Sequence, residues 1–158
     1  MATPGGSGTI SPSGQLSLKD LHEDFRRYPE SNPTNISLGD LIDDFLCEGS
    51  TNKSMSSFHG STYLGPFVIK VQSGEDSEEA CEFFPPTTYN GKGAGVRYHN
   101  GTTKNPTAND FVYLSYKGLN GASCSNTFQP VGSYKMDTGK VMVMSSTTTG
   151  QVKSIVTC

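Results

Sequence analysis

The sequence predicts a mainly β fold: a small antiparallel sandwich or meander over residues 65–158, preceded over residues 1–64 by an extended arm carrying two or three short α-helices. Three observations lead there. The second half breaks into short alternating or β-branched runs separated by turn residues. The composition is 33 % hydrophobic without Trp and holds 18 Gly and 9 Pro, which suits a turn-rich β domain better than a helical one. The first half states one helix-starting phrase twice, at a spacing of twenty residues.

The strand runs are GPFVIKVQ (65–72), GVRYH (95–99), FVYLSY (111–116), GSYKM (132–136), KVMVMSS (140–146) and QVKSIVTC (151–158). Asn90-Gly91, Asn100-Gly101 and Asn120-Gly121 tolerate the positive φ of a tight reversal and are expected to turn the chain between strands. The last three runs, with turns at Asp137–Gly139 and Thr147–Gly150, form an expected antiparallel meander. Its inward residues include Tyr134, Val141, Val143, Val152 and Ile155. Between Gly74 and Pro86 five carboxylates without strand period, and without the spacing or glycine of a calcium loop, predict a solvated acidic loop.

The repeated phrase aligns Leu16, Ser17, Leu18, Asp20, Leu21 and Phe25 with Ile36, Ser37, Leu38, Asp40, Leu41 and Phe45. Ser17 can accept from the Asp20 amide while the Asp20 carboxylate reaches back to the Ser17 amide, an acidic variant of the capping box. Leu16 and Leu21, like Ile36 and Leu41, stand where a hydrophobic staple closes on the first turn. Helices are therefore expected at about 17–27 and 37–47. A decayed third copy with Met55 and Phe58 predicts a single turn near 54–59. Helices this short are marginal alone in water. They dock either on a partner or back on the β domain of their own chain.

The net charge of −3, without a Lys/Arg cluster, gives no electrostatic case for nucleic acid or anionic membranes. No apolar run is long enough to span a bilayer, and the first fourteen residues lack the layout of a secretory signal. The cysteines Cys47, Cys81, Cys124 and Cys158 contain no CxxC pair, which argues against zinc. Free buried thiols are the expectation, with a disulfide among Cys81, Cys124 and Cys158 reserved for an oxidising setting. Cys47 is read as a packing residue on its helix. None of His22, His59 and His99 lies in a recognisable catalytic motif, and GxSxG, HExxH and P-loop patterns are missing. The sequence thus predicts no enzyme, no cofactor and no metal; a small enzyme, were it one, would work through His99 or Asp110.

The two phrases, the Asn32-Pro33 spacer and the closing Ser54–Gly60 resemble N-terminal segments of virion structural proteins of tailed bacteriophages. Cys81, Tyr98–Gly101, Pro106, Asp110, Val112, Tyr113, Gly132, Tyr134 and Gly150–Cys158 resemble a module at the ends of phage fibre-like proteins. This chain departs from the pattern at Arg26-Arg27-Tyr28, where a small glycine-rich turn is usual, and at His59, where Tyr is commoner. The resemblance implies a virion protein whose arm docks on a neighbouring virion protein through the aligned residues above with Met55 and Phe58. It also implies a projecting β domain as a short tail or neck fibre, a homotrimer, and host-glycan contacts at Tyr89, Asn90, His99 and Asn100. A head-decoration or collar protein shares the plan. A soluble carbohydrate-binding module, its helices packed on its own sheet, is the rival from another class.

Overall fold

The computed structural model describes residues 6–18, 20–21, 38, 54–74, 76–82, 95–114 and 127–158. Among them are eight strands: β1 (Gly8–Thr9), β2 (Thr62–Tyr63), β3 (Gly65–Gly74), β4 (Gly95–His99), β5 (Val112–Tyr113), β6 (Ser133–Met136), β7 (Val141–Met144) and β8 (Val152–Val156). One helix, α1 (Ser77–Glu82), and one 3-10 turn (Met55–Phe58) accompany them. Strands β3 to β8 form one antiparallel sheet in the order β5-β4-β3-β6-β7-β8, while β1 and β2 pair separately.

Each expected strand run is represented in this sheet. The β6–β7–β8 meander has both expected turns. Gly139 N donates to Met136 O at 3.1 Å and Met136 N to Lys140 O at 2.9 Å, and Gly139 takes φ +85°. That is a three-residue hairpin with its left-handed position given to glycine. At the second turn the Ser145 hydroxyl accepts from the amides of Thr147 and Thr148.

The sheet curls on itself instead of stacking as a sandwich. Register shifts between Ile69 and Val71 and between Gln72 and Gly74 bend β3, the longest strand, as bulges do. The bend brings the two end strands together. Val112 N donates to Gly150 O and Val152 N to Asp110 O, both at 2.8 Å, around an antiparallel Phe111–Gln151 bridge. The rest of the β5 edge is taken by residues 127–129, through Gln129 N to Val112 O and Leu114 N to Thr127 O. The result is a six-stranded barrel without an open edge at β5.

Its interior holds Phe67, Ile69, Val112, Tyr134, Met136, Met142, Met144 and Val152, with Ile155 packed against them. Side chains of this size contribute about 1.5–3 kcal/mol each on full burial. Tyr134, Val152 and Ile155 point inward as expected. Val143 does not: Tyr134 pairs with Met142 and Lys135 with Val141, so the even-numbered methionines of β7 share the Tyr134 face. Val141 is buried on the other face, where α1 crosses β3, β6 and β7.

The acidic stretch expected as a loop contains that helix. Asp76 accepts from the Glu79 amide at 2.9 Å through its side chain, and its carbonyl accepts from Ala80 N. This is N-capping, with Glu78 and Glu79 favourably placed in the first turn. Lys135 Nζ donates to Cys81 O at 3.0 Å, putting a cation at the helix C-terminus. Cys81 is joined to Cys158 by a disulfide with Cα atoms 5.4 Å apart. The expectation of free thiols therefore fails for these two residues, since α1 and the end of β8 meet within bonding distance. Cys47 and Cys124 lie outside the described residues.

A second cluster, Leu64, Tyr98 and Tyr113 with Val96, Phe111 and Phe128, covers the outer face of β4 and β5. The N-terminal chain runs alongside. Ser7 N donates to Gly101 O at 2.7 Å, and Gly6 lies so close to Gly65 and to residues 101–103 that a Cβ on it would overlap their backbone. β1 and β2 continue this attachment through Ile10 N to Ser61 O and Gly60 N to Ile10 O. Ile10, Phe58 and Leu64 are all buried, so packing is continuous across the expected boundary at 64/65. Residues 12–58 are an excursion whose two ends are tied side by side, with His59 Nδ1 2.8 Å from Ser11 O.

Of the expected arm helices, the first begins where predicted: Leu18, Asp20 and Leu21 are helical, and Leu21 N donates to Ser17 O at 3.1 Å. Ser17 Oγ accepts from Asp20 N at 3.1 Å. The Asp20 carboxylate takes the Ser17 hydroxyl at 2.7 Å and not the amide assigned to it above. The third copy is the 3-10 turn capped by Ser54. Of the second copy only Leu38, helical and half-buried, is described.

The disulfide closes a span of 77 residues, for which chain entropy gives about 4 kcal/mol. Reducing it, or replacing both cysteines with serine, is expected to lower unfolding stability by about 2–4 kcal/mol. Urea titration with and without reductant measures the loss; an unchanged midpoint would place the bond outside the stabilised structure.

Candidate functional site

The most built-up region outside the core is the connection between β4 and β5. The sequence suggested a tight reversal at Asn100-Gly101, but the chain instead makes a twelve-residue loop closed by its own ends, from Asn100 to Phe111. Asn100 N donates to Phe111 O, and Phe111 N donates to Asn100 Oδ1 at 2.7 Å. Gly101 is needed for space: a Cβ there would collide with the Asp110 carboxylate. Left-handed backbone falls on Asn109, at φ +76°, a residue type that tolerates it. Asp110 Oδ2 accepts from Thr107 N at 2.7 Å and Thr107 Oγ1 at 3.1 Å, and Thr103 Oγ1 donates to Asn105 O at 2.7 Å. These bonds hold the loop in one shape.

Beneath it lies His99, fully buried, its ring edge-on to Phe67 at 5.4 Å. Its Nδ1 accepts from Gly101 N at 3.2 Å, so the neutral ring carries its proton on Nε2. Among the described residues Nε2 has no hydrogen-bond partner. Burial pushes the His99 pKa below its ordinary value, against the opposing pull of Asp110 and the Lys104 backbone. Asp110 Oδ2 stands 3.7 Å from Nδ1. The pair imitates part of a Ser-His-Asp arrangement, but Nε2, the atom that would activate a nucleophile, meets none.

At the mouth of the barrel the 103–108 loop faces the β6–β7 hairpin across a cleft of about 570 Å³, within the range of small-molecule sites. Pro106, Met136 and Ile155 supply an apolar floor. Thr103, Asn105, Thr138, Lys104 and Lys140 supply a polar rim, on which both lysines are exposed. Elsewhere on β4, Arg97 donates through Nε to Gln129 Oε1 at 2.7 Å. Its pKa is lowered by burial, partly offset by Tyr134.

Of the residues expected to dock on a partner, Leu21 and Phe58 are 1 % and 0 % exposed within this chain, so neither offers a surface to a neighbour. Leu16, Leu18 and Leu38 are half-buried, and Ser17 and Asp20 exposed. Met55 sits in the 3-10 turn. Phe25, Ile36, Ser37, Asp40, Leu41 and Phe45 lie outside the described residues. Of the expected glycan contacts, His99 is corrected: it is part of the interior and cannot reach a surface ligand. Asn100 is exposed but its side-chain carbonyl is committed to Phe111. Tyr89 and Asn90 lie outside the described residues. The cleft residues carry no motif; the signal that could have found them is the Thr/Asn/Pro run before Asp110, which sequence reading treated only as part of a module resemblance.

Comparison with known proteins gives no match: no family model fits the chain, and no curated protein or solved structure is similar to it. Among the described residues no group of His, Cys, Asp or Glu could hold a metal ion, and no helix is long and apolar enough to cross a membrane.

Because His99 is held neutral, its stabilising effect is complete above the unfolded-state value of about 6.5 and is lost as pH falls, when the unfolded chain binds a proton that the folded chain refuses. The urea midpoint is expected to fall between pH 7 and pH 5. His99→Asn keeps an acceptor near the Nδ1 position and cannot titrate; it should be less stable overall but show a flatter pH slope. An equal slope in both proteins would assign the effect to other groups.

Proposed function

We propose that this protein is a non-enzymatic structural component of a tailed-phage virion, its barrel projecting as a short tail or neck fibre and the repeat-bearing excursion docking on a neighbouring virion protein. The observation that carries the reading is how the repeat is borne. The chain leaves the barrel at Ser11 and returns at His59, with the ends joined by β1–β2 pairing and the His59–Ser11 contact. The stretch that holds both copies of the phrase is thus tied to the barrel at both of its ends. Fewer immobilised residues mean a smaller entropic cost of docking. The Cys81–Cys158 bond suits a particle that works in an oxidising medium after release. A homotrimer follows as the expected assembly of a fibre, since such parts are symmetric. A head-decoration or collar site would use the same excursion and the same barrel.

The test is a cryo-EM map of the purified particle together with a Leu16→Ser/Leu18→Ser variant. The reading expects residues 12–58 along another virion protein, and a variant that folds with an unchanged urea midpoint but fails to join the particle. Recovery of the protein only from the soluble lysate would overturn it. So would a variant whose lost incorporation is matched by lost stability, because those leucines would then serve their own barrel.

A further inference from the structure

The barrel-mouth cleft lies apart from the docking excursion and opens onto the edge of the core at Met136 and Ile155, and its chemistry is specific enough to name a ligand class. We propose that it binds an acidic saccharide, with the carboxylate held by Lys104 and Lys140 and a ring face laid on Pro106, Met136 and Ile155. This inference is independent of the virion reading.

The cleft, at about 570 Å³, has the size of a site for one or two sugar rings. Its floor is apolar and its rim dense in hydroxyl and amide groups, the combination that meets a ligand with C–H faces and many hydroxyls. Lys104 and Lys140 bring two ammonium groups to the rim, and neither forms an ion pair with a described residue. No acidic side chain is among the residues that line the cleft: Asp110 is turned toward the Thr107 amide and hydroxyl and toward His99, and Asp137 is exposed at the hairpin turn. The charge that faces the cleft is therefore positive and favours an anionic ligand.

Other anions fit less well. A phosphate group is usually cradled by free backbone amides, but this rim contains Pro106, which has none, and the Thr107 amide is taken by Asp110. A peptide that adds as a strand needs an exposed edge; among the described residues β6 and β7 are paired on both sides, and the end strand β8 leaves the one edge, which the diglutamate titration addresses. The site is also formed in advance. Thr103–Asn105 and Thr107–Asp110 bonds hold one wall, and the Met136–Lys140 hairpin holds the other, which lowers the ordering cost of binding.

Isothermal titration of the full chain at low salt with digalacturonate, neutral galactobiose and a diglutamate peptide tests this. Digalacturonate is expected to bind, with galactobiose, which lacks the carboxylates, at least about tenfold weaker, the loss typical of one charged contact, and with diglutamate, which keeps the charge but lacks the ring faces and hydroxyls, weaker than digalacturonate. Lys104→Gln and Lys140→Gln should each weaken digalacturonate binding by about tenfold, with unchanged urea midpoints because both side chains are exposed. Added salt should weaken it too. Equal binding of galactobiose would overturn the charge selection, equal binding of diglutamate the saccharide class, and indifference to both lysine changes the site. Absence of binding by digalacturonate would overturn the proposal outright.

Discussion

Hydrogen bonding between the two ends of the sheet, at Val112–Gly150 and Val152–Asp110, is the constraint on which the other features rest. An antiparallel sheet with only a handful of large apolar residues buries little if it stays open, because one face remains wet. Closing it gives Phe67, Tyr134 and six methionine- or valine-sized neighbours a common interior and removes an edge that could pair with another chain. Closure also sets the loop after β4 over the mouth. With Asp110 bonded to Val152 through its backbone, its side chain is aimed back at Thr107, and the wall of the cleft is a by-product of the same seam.

The N-terminal chain is held by a different device, the near absence of side chains. Gly6 and Gly65 let three backbone segments approach more closely than a Cβ on either would permit, so Ser7 can bond to Gly101. Gly101 also donates through its amide to His99 Nδ1, and the ring stands edge-on to Phe67, while Nε2 meets no hydrogen-bond partner among the described residues. A buried polar atom left in this state costs stability, which fits a ring kept for its Nδ1 acceptor and its shape.

Much of the barrel was legible in the sequence because β-branched alternation and Gly-bearing turns act over a few residues. The β6–β8 meander is the clearest instance. The inward face of β7 was misread since VMVM alternates two apolar types, and only cross-strand register decides that Met142 faces Tyr134. Helix α1 was missed because acidity was taken as a solvation signal, although Asp76 and Glu79 have capping-box spacing. The cleft and the buried state of His99 were not legible at all. Both arise from chain segments far apart in sequence, and a histidine beside Asn-Gly reads as surface until the loop is seen to fold over it. The first turn of the repeat was readable to the level of one hydrogen bond, which then differed only in the acceptor's choice of hydroxyl over amide.

Tying Ser11 to His59 separates the barrel from the length of what lies between them. The entropy of a closed excursion grows only with the logarithm of its length, so doubling it costs about 0.6 kcal/mol. A unit of twenty residues could be gained or lost there while the seam, the glycine contacts and the cleft stay as they are. The repeat can then be viewed as a cassette fastened at its base, where Phe58 of the closing 3-10 turn is fully buried.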